Sequence, residues 1–104
     1  MTDLVHRTAL IDPSARIAPG VVIGPFAIVG PGVTIGPGCR VGPHVVLERW
    51  VHLGSDVSVG AGTVLGSAPQ DTKYAGEEAV VEIGDGTVIR EHVTINRGTA
   101  ASGA

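Results

Sequence analysis

The stretch "IGPFAIVGPGVTIGPGCRVGPHVV", residues 23–46, repeats a six-residue phrase four times: aliphatic, Gly, Pro, variable, small or β-branched, variable. The beat extends well beyond it. An aliphatic residue recurs at Val5, Ile11, Ile17, Ile23, Val29, Ile35, Val41, Leu47, Leu53, Val59 and Leu65, and again at Ile83, Ile89 and Ile95. Position three is proline at 13, 19, 25, 31, 37 and 43. Position five holds Ala15, Val21, Ala27, Val33, Cys39, Val45, Val51, Val57 and Thr63.

Proline on this period excludes a helix, because each ring deletes a helical hydrogen bond at a cost of about 3 kcal/mol. It also excludes long central strands. What remains is a short strand, a corner at Gly-Pro, and another short strand. Positions five and one stand two residues apart, as same-side neighbours on a strand do. Glycine supplies the corner torsions and proline fixes φ. Three such sides close a coil, and successive coils stack at about 4.7–4.9 Å through sheet hydrogen bonds. The reading is an all-β parallel β-helix, a solenoid whose coils touch mainly their neighbours. Hexads are expected over 5–66 and 83–100, in one domain spanning 1–104.

The composition fits. Aromatic residues make up 3% of the 104 and glycine accounts for 16, too few large side chains for a thick globular core. Glycine does not recur every third residue, so collagen is excluded. At 43% hydrophobic and net charge −3, the chain is too apolar for disorder. Seven scattered Lys and Arg argue against nucleic acid as a partner. Cys39 is the single cysteine, so no intrachain disulfide forms, and its fifth-position place reads as a small buried hydrophobe. The start, MTDLVHRTALID, lacks the apolar run of a signal peptide, and no stretch reaches the ~20 apolar residues of a membrane span. The expectation is a soluble, cytoplasmic protein.

One stretch breaks the beat. "SAPQDTKYAGEE", residues 67–78, would place Asp71 and Glu77 at inward positions. An unpaired buried carboxylate costs several kcal/mol, so residues 67–79 are expected to protrude as a loop. Exposed loops on rigid scaffolds commonly carry binding chemistry.

The hexads resemble those of the hexapeptide-repeat transferases, which implies a left-handed β-helix and a homotrimer. QDTKYAGE, then VEIGD, then IREHVTINRGT resemble the acyl-[acyl-carrier-protein]–UDP-N-acetylglucosamine O-acyltransferases, which begin lipid A synthesis. That resemblance implies transfer of a 3-hydroxyacyl chain from acyl-carrier protein to the 3-hydroxyl of UDP-N-acetylglucosamine, with no cofactor. It implies that Asp71 accepts hydrogen bonds from sugar hydroxyls and Lys73 meets substrate charge, with Gln70 and Tyr74 flanking the pocket. Asn96 and Arg97 form the outward pair of VTINRGT, and Arg97 suits a phosphate or carboxylate. Many members carry histidine where this chain has Asn96, which removes a titratable group. The family's general-base histidine lies further along the β-helix than residue 104, so the chain is expected to be truncated and, alone, inactive.

The four histidines do not replace that base by motif. His44 and His92 occupy position four, outward at corners, while His6 and His52 fall elsewhere in the hexad. A zinc site of the γ-carbonic anhydrase kind needs closely spaced histidines, which this chain lacks. Phe26 and Trp50 also occupy position four, outside the prism, where a tryptophan suits a contact surface. Two other readings stay open: a non-catalytic solenoid that binds a sugar nucleotide, and an aminosugar N-acyltransferase.

Overall fold

The computed structural model describes residues 4–67 and 80–96. Among these residues there is no helix, and the strands are short. They are β1 (Leu4–Val5), β2 (Leu10–Ile11), β3 (Arg16–Ile17), β4 (Val22–Ile23), β5 (Ile28–Val29), β6 (Thr34–Ile35) and β7 (Arg40–Val41). There follow β8 (Val46–Leu47), β9 (Val51–Leu53), β10 (Ser58–Val59), β11 (Val64–Ser67), β12 (Val81–Ile83), β13 (Val88–Ile89) and β14 (Thr94–Asn96). Every third strand joins the same parallel sheet. The three sheets run β1-β4-β7-β10-β13, β2-β5-β8-β11-β14 and β3-β6-β9-β12, here called faces A, B and C. The result is a left-handed parallel β-helix.

The register follows the hexads. Leu4 pairs with Val22, Arg16 with Thr34 and Ile28 with Val46, each one coil apart. Positions one and five point inward and supply the whole buried apolar core, from Val21 and Ile23 to Ile83 and Ile89. Ile23, Ile35, Leu47 and Leu65 are each at most 1% exposed, so each side chain is buried against its counterparts above and below. Full burial of such a side chain stabilises by roughly 1.5–3 kcal/mol, and the ladder bonds satisfy the backbone between coils. The two buried polar residues at position five among the described residues are also satisfied. Cys39 Sγ donates to the Gly54 carbonyl, and Thr63 Oγ1 donates to the Arg90 carbonyl while accepting from the Val93 N–H.

The corners fall one residue later than Gly-Pro. The turn is made by positions three and four, and position four takes positive φ at Gly20, Phe26, Gly32, Gly38, His44, Trp50, Asp56, Gly62, Gly86 and His92. Proline followed by a left-handed residue is the signature of a type II turn. Position-two glycine serves a different end. A Cβ on Gly30 would overlap the Glu48 carbonyl, and one on Gly60 would lie 2.6 Å from the Glu91 nitrogen. These glycines let adjacent coils touch, which corrects the expectation that they provide corner torsions.

Candidate functional site at the stem of the inserted segment

Strand pairing locates the interruption. Coil-to-coil partners are 18 residues apart up to β11 but 30 apart afterwards, as for Val51↔Val81 and Ser58↔Val88. Twelve extra residues, two hexads' worth, therefore lie between β11 and β12. Residues 68–79 lie outside the described residues, and with them Gln70, Asp71, Lys73 and Tyr74; Arg97 does too. Asn96 is described, half-buried at the end of β14.

The two ends of the segment are defined. On the way out, the β11–β14 register shifts between Leu65 and Ser67, so that Ser67 pairs with Asn96. Gly66 takes φ +86° there, and an added Cβ would sit 2.7 Å from both the Arg49 carbonyl and Val51 Cγ2. No other residue fits without displacement. Ser67 Oγ donates to Glu48 Oε2 at 3.1 Å. On the way back, the Val81 N–H donates to the Trp50 carbonyl at 3.0 Å. Sequence reading treated the interrupting stretch and VTINRGT separately; the β-bulge brings Ser67, at the start of the first, beside Asn96 of the second.

Beneath the stem, Glu48, Arg49 and Trp50 replace the Gly-Pro-Gly of the coil below. Trp50 is half-buried rather than free, its indole lying over Gly32, where a Cβ would collide with Cδ1. The Arg49 guanidinium carbon lies 5.4 Å from the Trp50 ring centroid, a cation–π distance. Sequence reading passed over Glu48, Arg49, Gly66 and Ser67. A signal was present: LERW is the one hexad of the nine from Ile11 to Val64 with neither Gly nor Pro at positions two to four.

The histidines lie elsewhere. His6, His44 and His92 line the corner between faces A and B. His6 Nδ1 is 2.9 Å from Thr8 Oγ1, and His44 stacks on Phe26 with centroids 5.2 Å apart. His92 is exposed over Gly62, and His52 lies on face C between Thr34 and Glu82. Among the described residues, no three His, Cys, Asp or Glu side chains form a group able to hold a metal. A groove of about 380 Å³ runs along face A, lined by residues including Val22, Arg40, Ser58 and Val88 and, at one end, by Ile89, Arg90 and Glu91 of IREHVTINRGT. Among the described residues, two carboxylates are perturbed. Asp12 lies below its ordinary pKa because the Ser14 hydroxyl and N–H donate to it, and Glu91 is lowered by its own backbone N–H and by Arg90.

Residues 4–37, 14–49 and 33–67 match the bacterial transferase hexapeptide (six repeats) family. The chain belongs to that family. Over 102 residues it is 48% identical to the acyl-[acyl-carrier-protein]–UDP-N-acetylglucosamine O-acyltransferase of Xanthomonas euvesicatoria pv. vesicatoria, covering 98% of this chain and 39% of the relative. The same-named protein of Chlorobaculum parvum is 59% identical over 51 residues, 49% of this chain and 19% of the relative. Among solved structures, LpxA from Acinetobacter baumannii superposes with TM-score 0.90 at 46% identity, over 95% of this chain and 38% of that one. LpxA from Bacteroides fragilis, a UDP-N-acetylglucosamine acyltransferase, gives 0.89 at 40% identity, over 93% and 38%. The chain therefore spans about two-fifths of the length of its long-matching relatives. No helix among the described residues is long and apolar enough to cross a membrane.

Proposed function

We propose that this chain is the nucleotide-sugar-binding portion of an acyltransferase that moves a 3-hydroxyacyl chain from acyl-carrier protein to UDP-N-acetylglucosamine, the first step of lipid A synthesis. The observation that carries it is the Ser67–Asn96 pairing, which sets the residue where the inserted segment leaves β11 beside Asn96 of VTINRGT. Relatives of that name at 48% identity over nearly the whole chain support it. In this reading the sugar 3-hydroxyl attacks the thioester carbonyl, the C–S bond breaks, and a histidine base relays the hydroxyl proton toward the leaving thiolate. Asp71 accepts from sugar hydroxyls, Lys73 and Arg97 meet negative charge, and Gln70, Tyr74 and Asn96 border the pocket. Asn96 has no titratable proton, so it binds and does not act as a base.

A homotrimer belongs to the same reading, as does a cytoplasmic setting. The outward apolar residues support self-association. Leu4 and Val88 on face A, Leu10 and Ile28 on face B, and Phe26 at the corner between are all well exposed. Face C instead presents Arg16, Thr34, His52 and Glu82.

The test is a calorimetric titration of the 104-residue chain with UDP-N-acetylglucosamine, run beside an acyl-transfer assay with a 3-hydroxyacyl carrier protein. Binding without transfer is the expected result, since none of His6, His44, His52 and His92 lies in a family motif as the base. No binding would leave an empty scaffold, and transfer would direct the search for a base to His92, the histidine nearest the NRGT motif.

A further inference from the structure

Face A gathers positive charge. Leu4, Val22, Arg40, Ser58 and Val88 pair in register as one outward column, apolar at both ends with an arginine at its centre. Two grooves meet at that arginine: the one of about 380 Å³, and another of about 850 Å³ lined by residues including Leu4, His6, Arg7 and Val22. Of the described arginines, the two grooves hold Arg7, Arg40 and Arg90 and leave out Arg16 and Arg49. Of the described acids they hold Glu91 alone, while Asp12, Glu48, Asp56, Glu82 and Asp85 lie outside them. Glu91 is already paired with Arg90 at 3.4 Å. Arg40 is exposed, has no ion pair among the described residues, and stands between Val22 and Ser58, so the stack does not need its charge.

The spacing of these arginines selects the partner. Arg7 follows β1, Arg40 lies in β7 and Arg90 follows β13, each two coils from the next and so about 10 Å apart along the axis. They are too far apart to converge on one phosphate, which takes its donors within about 3 Å. A helix rises about 10.5 Å over seven residues, so carboxylates about two turns apart on a helix laid along the trough would meet all three. Gly24, Gly42 and Gly60 leave the trough without side chains there, and Val22 and Val88 offer apolar contact. A second copy of this chain fits less well, because the outward columns of faces A and B carry no carboxylate. We propose that face A is the docking surface for the acyl-carrier protein, engaged through a helix with acidic residues two turns apart. This rests on the reading that the acyl donor is carrier-borne; of the two substrates in that reading, only the carrier is a protein.

The experiment measures binding of a 3-hydroxyacyl carrier protein to the 104-residue chain by surface plasmon resonance, with Arg40→Ala, Arg40→Glu and, on face C, Arg16→Glu. Arg40→Ala should weaken binding about fivefold and Arg40→Glu about thirtyfold, chiefly through slower association, while Arg16→Glu stays within about twofold. Raising salt from about 50 to about 300 mM should weaken the unsubstituted chain about tenfold and Arg40→Glu less. Thermal midpoints should coincide, since Arg40 is exposed. Equal losses for Arg40→Glu and Arg16→Glu would reduce the effect to overall charge and overturn the assignment, as would a carrier that does not bind. Arg40→Glu that shifts the oligomeric state with carrier affinity intact would give face A to a second copy and overturn it too. Affinity for UDP-N-acetylglucosamine is measured alongside by calorimetry. If the nucleotide sugar does not bind while the carrier binds through Arg40, the proposed sugar site falls and the docking surface stands; if Arg40→Glu weakens only the nucleotide sugar, the docking surface falls.

Discussion

Two corners one coil apart, Gly30-Pro31-Gly32 and Glu48-Arg49-Trp50, follow the same path with opposite chemistry. The first is nearly all backbone. Gly30 leaves room for the Glu48 carbonyl, and Gly32 leaves a seat for the Trp50 indole. The second carries three long side chains, and the inserted segment departs directly above it. The glycines of one coil are thus set by what the next coil holds. The same pairing recurs where a Cβ on Gly38 would strike Asp56, or one on Gly62 would strike His92. At these corners a bulky outward group sits over a bare glycine of the adjoining coil, whereas Phe26 and His44, one coil apart at another corner, stack ring on ring.

The largest effect should come from the interior that both corners share. Ile35 is 1% exposed and pairs with Ile17 below and Leu53 above. Ile35→Asp buries a charge with no partner and should cost about 4 kcal/mol or more, enough to unfold the array. Circular dichroism should show loss of β signal at room temperature. A melting curve near that of the unsubstituted chain would mean that the stack is not what holds the coils.

Next come the two kinds of glycine. Gly30→Ala drives a methyl into the Glu48 backbone, which cannot move without parting the coils, and should cost about 3 kcal/mol. Gly20→Ala meets nothing within 4 Å and is strained only by φ +82°, so about 1 kcal/mol is expected. Urea unfolding of the two variants measures the difference. Equal losses would remove the distinction between close approach and turn geometry. At the inserted segment, Asp71→Ala should weaken nucleotide-sugar binding by about 2 kcal/mol and leave thermal unfolding unchanged, because a lost sugar hydrogen bond makes no demand on the stack.

The interior was fully legible in the sequence because it obeys one rule. Among the described residues, every buried apolar one stands at position one or five, and the period of six with proline at position three admits few other chain paths. The corner was legible only in part. Gly and Pro announced a turn, but which glycine faces positive φ and which faces a neighbouring backbone depends on contacts 18 residues away, as between Gly30 and Glu48. The stem was least legible. Ser67 and Asn96 meet through a register shift, and no periodic reading anticipates a bulge. Glu48 offered no periodic signal of its own, and its partner Ser67 meets it only across the coils.

The smallest effect concerns the first corner of that same column, where Asp12, Pro13 and Ser14 stand below Gly30-Pro31-Gly32. Here the turn is closed by the Ala15 N–H to the Asp12 carbonyl without a positive-φ residue, and hydroxyl bonds are added to it. Ser14 Oγ and N–H both donate to the Asp12 carboxylate, and Ser14 Oγ in turn accepts from the Gly32 N–H at 3.1 Å. Bonds to the charged form hold the Asp12 pKa below its ordinary value. The unfolded chain therefore binds a proton more readily than the folded one as pH falls past the unfolded value. The stability this carboxylate contributes is present above about pH 4 and is lost as the pH drops through the lower folded value. Asp12→Asn should then lower the thermal midpoint slightly at pH 7, with the gap from the unsubstituted chain narrowing below about pH 4. Because the hydrogen bonds from Ser14 outweigh the Arg49 charge in lowering Asp12, added salt should change this gap little. A gap that widens in acid would show that Asp12 is raised rather than lowered, and that the Ser14 bonds do not hold the carboxylate.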